Sequence, residues 1–351
     1  MLKRKLLMSG LALLILCSAC IPPVAEQSTP SPVSPGDDGI QVYFTTPQGA
    51  RDGRYWGGPD EKLAAAIDQA RLSVDMAMYN FNLWSIRDAL VAAQKRGVNV
   101  RVVLDSDNLD EAEVQDLLDA GIPVIGDRRE SLMHHKFAII DRREVWTGSM
   151  NFSVGGAYKD ANNLLRLQDT KLAEDFLVEF DEMFEDDLFS SASPANTPYP
   201  TLTISGKQVE VYFSPDDGVL GHLISLVEEA DKEVRFLAYS FTADRLAETM
   251  LQQAQAGVDI RGVFDESQVN SNTGGEFERL KAAGMDVRLA KTPNLMHHKV
   301  LIIDRQIVAV GSYNFTRSAE EFNDENILII HDAALAEQFL QVYDALYAAA
   351  D

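Results

Sequence analysis

Two short strings hold most of the side chains able to do chemistry. They read Met133-His134-His135-Lys136-Phe137-Ala138-Ile139-Ile140-Asp141 and Met296-His297-His298-Lys299-Val300-Leu301-Ile302-Ile303-Asp304, and they contain four of the six histidines in the 351-residue chain. From the chain's own composition, a His-x-base-x4-acid pattern is expected about 0.08 times by chance. It occurs twice. Shortly downstream, Gly148-Ser149-Met150-Asn151-Phe152 and Gly311-Ser312-Tyr313-Asn314-Phe315 repeat a second string. Alternate side chains on a strand share a face. His134 is therefore expected beside Lys136, His297 beside Lys299, Ser149 with Asn151, and Ser312 with Asn314. Imidazole, ammonium, hydroxyl and carboxamide make a donor-rich cationic pocket suited to a phosphate oxyanion. The same set is a poor metal site, because lysine repels a cation and no carboxylate accompanies the histidines. No metal or other cofactor is expected.

His135 and His298 point to the opposite side, where packing or a backbone hydrogen bond is expected. Asp141 and Asp304 have the opposite parity to their histidines and are read as structural residues at a strand end, in a turn or an ion pair.

The elements that must position these groups are written twice. Met76–Phe81 recurs as Phe236–Phe241, and Gly97–Asp105 as Gly257–Asp265, at an offset of 160; the two motif strings recur at an offset of 163. Such self-similarity marks a tandem duplication. Within each copy, helical periodicity over Asp60–Ala70 and Leu83–Gly97 alternates with compact apolar runs at Val98–Leu104 and Phe137–Ile140. Phe176–Phe184 and Leu335–Leu346 close the two copies as helices. The alternation predicts two α/β/α sandwich units with mostly parallel mixed sheets. The boundaries read as a leader over 1–19, a Pro- and Ser-rich tether over 20–39, a first domain over 40–189, a linker over 190–206 and a second domain over 207–351.

Duplicated HxKx4D and GSxxNF motifs resemble those of the phospholipase D superfamily, over nearly all of Ile40–Tyr347. The resemblance implies two units related by a pseudo-two-fold axis, with both motifs in one active site and no metal. It implies that one histidine attacks phosphorus to give a phosphohistidine while the other protonates the leaving alcohol. Carried over by position, His134, Lys136, Asn151, His297, Lys299 and Asn314 form the pocket, with Ser149 and Ser312 supporting it. Glu325, followed by Asn326, resembles the acidic residue that holds a histidine ring; its equivalent in the first copy is Asn162, followed by Asn163. With Glu325 beside His297 and Asn162 beside His134, His134 is the expected nucleophile and His297 the acid. A carboxylate also stabilises a cationic phosphohistidine, which reverses that logic.

The first residues carry Lys3, Arg4 and Lys5, an apolar stretch from Leu6 to Leu16, and Cys17-Ser18-Ala19-Cys20. This is an export signal ending in a sequence that resembles a bacterial lipoprotein cleavage box. Cys20 is the expected lipidation site and membrane anchor, with ordinary secretion as the alternative. Both cysteines lie at the end of this leader or at its boundary with the tether, so a cysteine nucleophile is excluded from the two domains. The net charge of -23 disfavours a broad nucleic-acid-coating surface, leaving nucleic acid only as a substrate. A phospholipase D cleaving or transferring phospholipid headgroups is the first reading. A superfamily endonuclease is the second, and a non-catalytic phosphate-binding or interaction protein of the envelope the third. The loops Thr45–Pro59 and Ser267–Gly275 are the expected selectors of substrate, and two motifs per chain make a monomer sufficient.

Overall fold

The computed structural model describes residues 39–47 and 55–351. The expected leader, Cys20 and nearly all of the tether lie outside the described residues, as does the middle of the loop Thr45–Pro59.

The first copy builds a seven-stranded sheet from β1 (Ile40–Phe44), β2 (Ser73–Met78), β3 (Asn99–Leu104), β4 (Val124–Gly126), β5 (Lys136–Ile140), β6 (Glu144–Gly148) and β7 (Asn163–Gln168). Their spatial order is β1-β7-β6-β5-β2-β3-β4. The second copy adds β8 (Thr201–Ile204), β9 (Lys207–Ser214), β10 (Glu233–Ala238), β11 (Asp259–Phe264), β12 (Asp286–Leu289), β13 (Lys299–Ile303), β14 (Ile307–Gly311) and β15 (Glu325–His331). These pair as β12-β11-β10-β13-β14-β15-β9-β8, the same topology with one extra edge strand. Residues of β2, β5, β6 and β13 are buried throughout, as strands covered on both faces require.

The α/β sandwich architecture is as expected, but the pairing is not mostly parallel. Parallel ladders are confined to β2-β3-β4 and β10-β11-β12. The other neighbours run antiparallel. The cause lies in the motif itself. Residues 141–143 join β5 to β6, far too short a connection for a parallel crossover, which needs a dozen residues or more. Asp141 and Arg142 take φ of 52° and 54°, and Asp304 and Arg305 take 50° and 57°, so both connections are tight left-handed turns, a backbone state that aspartate tolerates better than most residues.

Helices Thr170–Asp186 and Ala333–Ala349 start at Asp169 and Asp332, whose carboxylates accept the amides of Lys171, Leu172 and Ala334 at 2.8–3.1 Å. Their apolar faces enter a core shared by both copies. Phe176 packs edge-to-face on Phe137 of its own half and on Phe213 of the other, both at 5.1 Å. Each such fully buried ring contributes about 3 kcal/mol. The two repeats accordingly form one compact unit, Asp38–Asp351.

Part of the expected linker is structured. Residues 201–204 are β8, and the stretch before it is pinned by carboxylates: Asp324 accepts the Ser190 amide, Glu182 the Asn196 side chain at 2.6 Å, and Asp175 the Tyr199 amide at 2.7 Å.

Candidate active site

Each histidine-lysine segment is held by the opposite half. Just before β5, the His134 amide donates to the Asp324 carbonyl at 3.0 Å and the Leu132 carbonyl accepts the Asp324 amide at 3.0 Å. Reciprocally, the His297 amide donates to the Ala161 carbonyl at 2.9 Å, and the Ala161 amide to the Leu295 carbonyl at 2.8 Å. These two short parallel bridges place the residues that follow Asp324 and Ala161 against the catalytic rings of the other copy. Asp105 and Asp265, at the ends of β3 and β11, fix the segments from behind by accepting the amides of Met133 and Met296 at 3.2 and 2.8 Å.

The crossing corrects the expected partners. Glu325 Oε2 lies 2.7 Å from His134 Nδ1, while His297 Nδ1 donates to Asn162 Oδ1 at 2.9 Å and approaches the Ser149 carbonyl at 3.1 Å. The acid therefore serves the first histidine and the amide the second. Both sets of Nδ1 partners are acceptors, so Nδ1 carries a proton in each ring and Nε2 is left for the cavity. The Asn162 amide is itself oriented. Its Oδ1 accepts the Ser149 hydroxyl at 2.8 Å, and its Nδ2 donates to the Gly156 carbonyl at 2.9 Å.

Ser149 and Ser312 do not aim at the phosphate site, as their spacing had suggested. Each faces backwards: Ser149 Oγ accepts the Asn163 amide at 3.1 Å and Ser312 Oγ accepts the Asn326 amide at 3.0 Å, and Ser312 also hydrogen-bonds Glu325. They set the orienting residues. The preceding glycines are required by the same close approach, since a Cβ at Gly148 would meet the Asn163 carbonyl at 2.5 Å and one at Gly311 the Asn326 carbonyl at 2.1 Å. Asn151 and Asn314 do line the cavity, and their buried Oδ1 atoms have no hydrogen-bond partner among the described residues.

Lys136 and Lys299 are fully buried. Each donates to the carbonyl of its own histidine, at 2.6 and 2.8 Å, and each ammonium lies over a tyrosine ring, Tyr79 at 5.0 Å and Tyr239 at 4.6 Å. Burial pulls Lys136 down to about 7, against the opposing pull of Glu325, and holds Lys299 well below its ordinary value with Lys136 adding to the effect. Burial, then the two lysines, keep His134 and His297 well below the usual imidazole range; each histidine would also be repelled by a charged neighbour, His297 by His134. Burial raises Glu325 to about 7, while the lysines draw it down. The cluster is thus short of negative charge. A phosphodiester supplies it, and would let the lysines regain their protons.

In front of them lies a cavity of about 480 Å³ that His134, His297, Asn151 and Asn314 line together. The two motifs therefore share one site. Among the described residues no group of three or more His, Cys, Asp or Glu is arranged to hold a metal.

His135 and His298 do more than pack. Asn326 Nδ2 donates to His135 Nδ1 at 3.1 Å, and Asn163 Nδ2 to His298 Nδ1 at 2.9 Å, again across the halves. His135 Nε2 faces Glu179 Oε1 at 2.9 Å. Burial lowers both rings to about 3, so they are neutral struts between the repeats. Asp141 and Asp304 are structural: Asp141 accepts the amides of Arg71, Leu72 and Ser73, and Asp304 those of Asp231, Lys232 and Glu233.

Sequence reasoning passed over Tyr79, Tyr239, Asp105 and Asp265, although all four lie inside the repeated strings. Gln268 and Asn272, which line the cavity, fall within a loop it did single out.

Two tandem α/β sandwiches that bring paired imidazole-lysine clusters to one polar cavity define a class of phosphodiester-cleaving folds. The family described as cardiolipin synthase, PLD-like domain, matches residues 63–184 and, a second time, 223–347, more than half of the chain. The chain belongs to this family of the phospholipase D superfamily. A phospholipase D of Rickettsia conorii is 35% identical over 144 residues, covering 41% of this chain and 71% of the relative. The human mitochondrial cardiolipin hydrolase is 36% identical over 126 residues, covering 35% of this chain and 50% of its own. Over 90% of this chain and 87% of the other, the fold matches the crystal structure of a phosphatidylserine synthase from Haemophilus influenzae, with a TM-score of 0.66 at 13% identity. Membership supports phosphodiesterase activity of the superfamily type.

Proposed function

We propose that the protein cleaves phospholipids at the headgroup phosphodiester through a phosphohistidine, with His134 as nucleophile and His297 as acid. One observation carries this assignment: His134 Nδ1 faces a carboxylate and His297 Nδ1 an amide. In the first step His297 takes up a second proton, at Nε2, as the negative charge of the bound phosphodiester offsets the burial and the lysines that hold it neutral in the free site. His134 Nε2 attacks phosphorus, the bond to the headgroup oxygen breaks, and that Nε2 proton passes from His297 to the oxygen. The resulting phosphohistidine keeps its Nδ1 proton and is cationic at the ring, and Glu325 neutralises it. His297, beside a neutral amide, has no carboxylate to hold its proton and releases it readily. In the second step a water or another alcohol gives its proton to His297 and its oxygen attacks phosphorus, and the N–P bond breaks. Asn151 and Asn314, which line the cavity, hold the non-bridging oxygens in this reading, while Lys136 and Lys299, each bonded to the carbonyl of its own histidine, supply positive charge from behind the cavity wall. The Cys20 sequence supports a further part of the reading, export to the cell envelope with a lipid anchor at that residue.

A paired assay with chelator present tests the substrate: headgroup release from mixed phospholipid vesicles against nicking of supercoiled DNA, each repeated with His297→Ala. Release that the variant loses is expected, and DNA nicking without lipid turnover would sink the lipid reading. Palmitate labelling that disappears in Cys20→Ala is the expected sign of the anchor; label that persists would rule Cys20 out.

A further inference from the structure

The two copies treat their second histidine differently. In the first, His135 Nε2 faces a carboxylate of the chain itself, Glu179 Oε1 at 2.9 Å. The helix face around that acid is covered, since Asp175 accepts the Tyr199 amide at 2.7 Å and Glu182 the Asn196 side chain at 2.6 Å. The helices Thr170–Asp186 and Ala333–Ala349 correspond at the offset of 163, as do their caps Asp169 and Asp332. At that offset Asp175, Glu179 and Glu182 become Gln338, Val342 and Ala345. No acid remains at these places. All three replacements instead line a cavity of about 570 Å³, a volume that suits one small ligand.

His298 lines the same cavity although it is only 1% exposed, so its ring is reached from there and hardly from bulk solvent. Its Nδ1 accepts from Asn163 Nδ2 at 2.9 Å, which leaves the ring proton on Nε2. That N–H has no hydrogen-bond partner among the described residues, because Val342 stands where the first copy has Glu179. A buried donor without an acceptor is costly, and a ligand that brings one relieves the cost. Around it the wall is partly apolar. Phe44 lies edge-on to the His298 ring at 6.3 Å between centroids, and Val342 and Leu346 line the cavity with it. Among the described residues no carboxylate lines the cavity, and Lys291, which also faces Asp351 at 3.1 Å and Glu266 at 3.6 Å, is its one charged side chain.

We propose that this cavity binds a small monocarboxylic acid with an apolar body, whose carboxylate accepts from His298 Nε2 and so takes the place that Glu179 holds in the first copy. The apolar body lies on Phe44, Val342 and Leu346, and Lys291 adds positive charge. An amine of the same shape finds an N–H donor and an ammonium where it needs an acceptor. The site is separate from the catalytic cavity, with which it shares no lining residue, and it stands whatever the phosphodiester substrate is.

The test uses the full chain with isotope-labelled histidine, titrated with octanoate and, in parallel, with octylammonium. Octanoate binds saturably with a Kd below about 1 mM. It binds about tenfold or more tighter than octylammonium, and it moves the His298 Nε2 resonance while that of His135 stays in place. The His298 signal separates this cavity from the catalytic one, whose lysines also attract a carboxylate. Val342→Glu gives the second copy the acid of the first and weakens octanoate about tenfold or more, with Tm unchanged. Ala345→Phe, at an exposed position, fills the cavity without adding charge and weakens octanoate too, which keeps the test in force if the first variant folds poorly. Octanoate that binds no better than octylammonium, a His298 resonance that stays put at saturation, or an affinity that survives either folded variant would overturn the assignment.

Discussion

A ring nitrogen attacks phosphorus only while its lone pair is free, and the 2.7 Å contact between His134 Nδ1 and Glu325 keeps the proton on the far nitrogen. The pH dependence follows from two groups. Glu325, raised to about 7 by burial, protonates as pH falls through neutrality and then no longer accepts from Nδ1, so activity falls on the acid side. Lys136, lowered to about 7 by burial, loses its charge as pH rises through the same region, so activity falls on the basic side as well. In the free enzyme, and therefore in kcat/KM, the profile is a bell centred near neutrality. Glu325→Gln removes the acid limb and lowers kcat by about 10²–10⁴-fold. An acid limb that survives in this variant would show that another group titrates there.

At the scale of strands and turns, the final aspartate of each HxKx4D string belongs to the scaffold. Asp304 sits at a left-handed turn after β13 and accepts three backbone amides at 2.8 Å each, which hold its carboxyl below the usual carboxylate range. Its contribution to stability is complete above the unfolded-state value near 4 and is lost as pH falls through the lower folded value. Asp304→Ala costs about 2 kcal/mol at neutral pH. Thermal melts at pH 7 and pH 3 check this: the gap in Tm between variant and wild type narrows at the lower pH, with kcat at low temperature unchanged. A large fall in kcat with little change in Tm would place the residue in the chemistry instead. The structural role of this aspartate was legible from strand parity, and periodicity showed the helical cores Phe176–Phe184 and Leu335–Leu346, which the structure extends to Thr170–Asp186 and Ala333–Ala349. The antiparallel β5–β6 and β13–β14 pairs were not, because the apolar runs look alike in either direction and only the three-residue turns decide.

The whole molecule works because each half completes the other. His134 depends on Glu325, His297 on Asn162, His135 on Asn326 and His298 on Asn163, all across the duplication. The pocket residues themselves could be read from spacing and repetition, which are local along the chain. Which acid or amide meets which histidine could not, because it is fixed by the two parallel bridges at Met133–Asp324 and Ala161–Met296, contacts between segments far apart along the chain. Glu325 was read as a partner of its own half for that reason. The tyrosines under Lys136 and Lys299 were visible as repeated letters, but only the folded cavity gives them a role. The central claim, that two distant clusters act on one phosphorus with unequal duties, is tested most directly by rapidly quenching a reaction with radiolabelled phospholipid and mapping the acid-labile phosphoryl group by peptide mass. Label on the peptide containing His134, reduced when Lys299 in the other half is replaced by Ala, is the predicted result. Label on His297, or covalent label on His134 that is indifferent to Lys299, would contradict it.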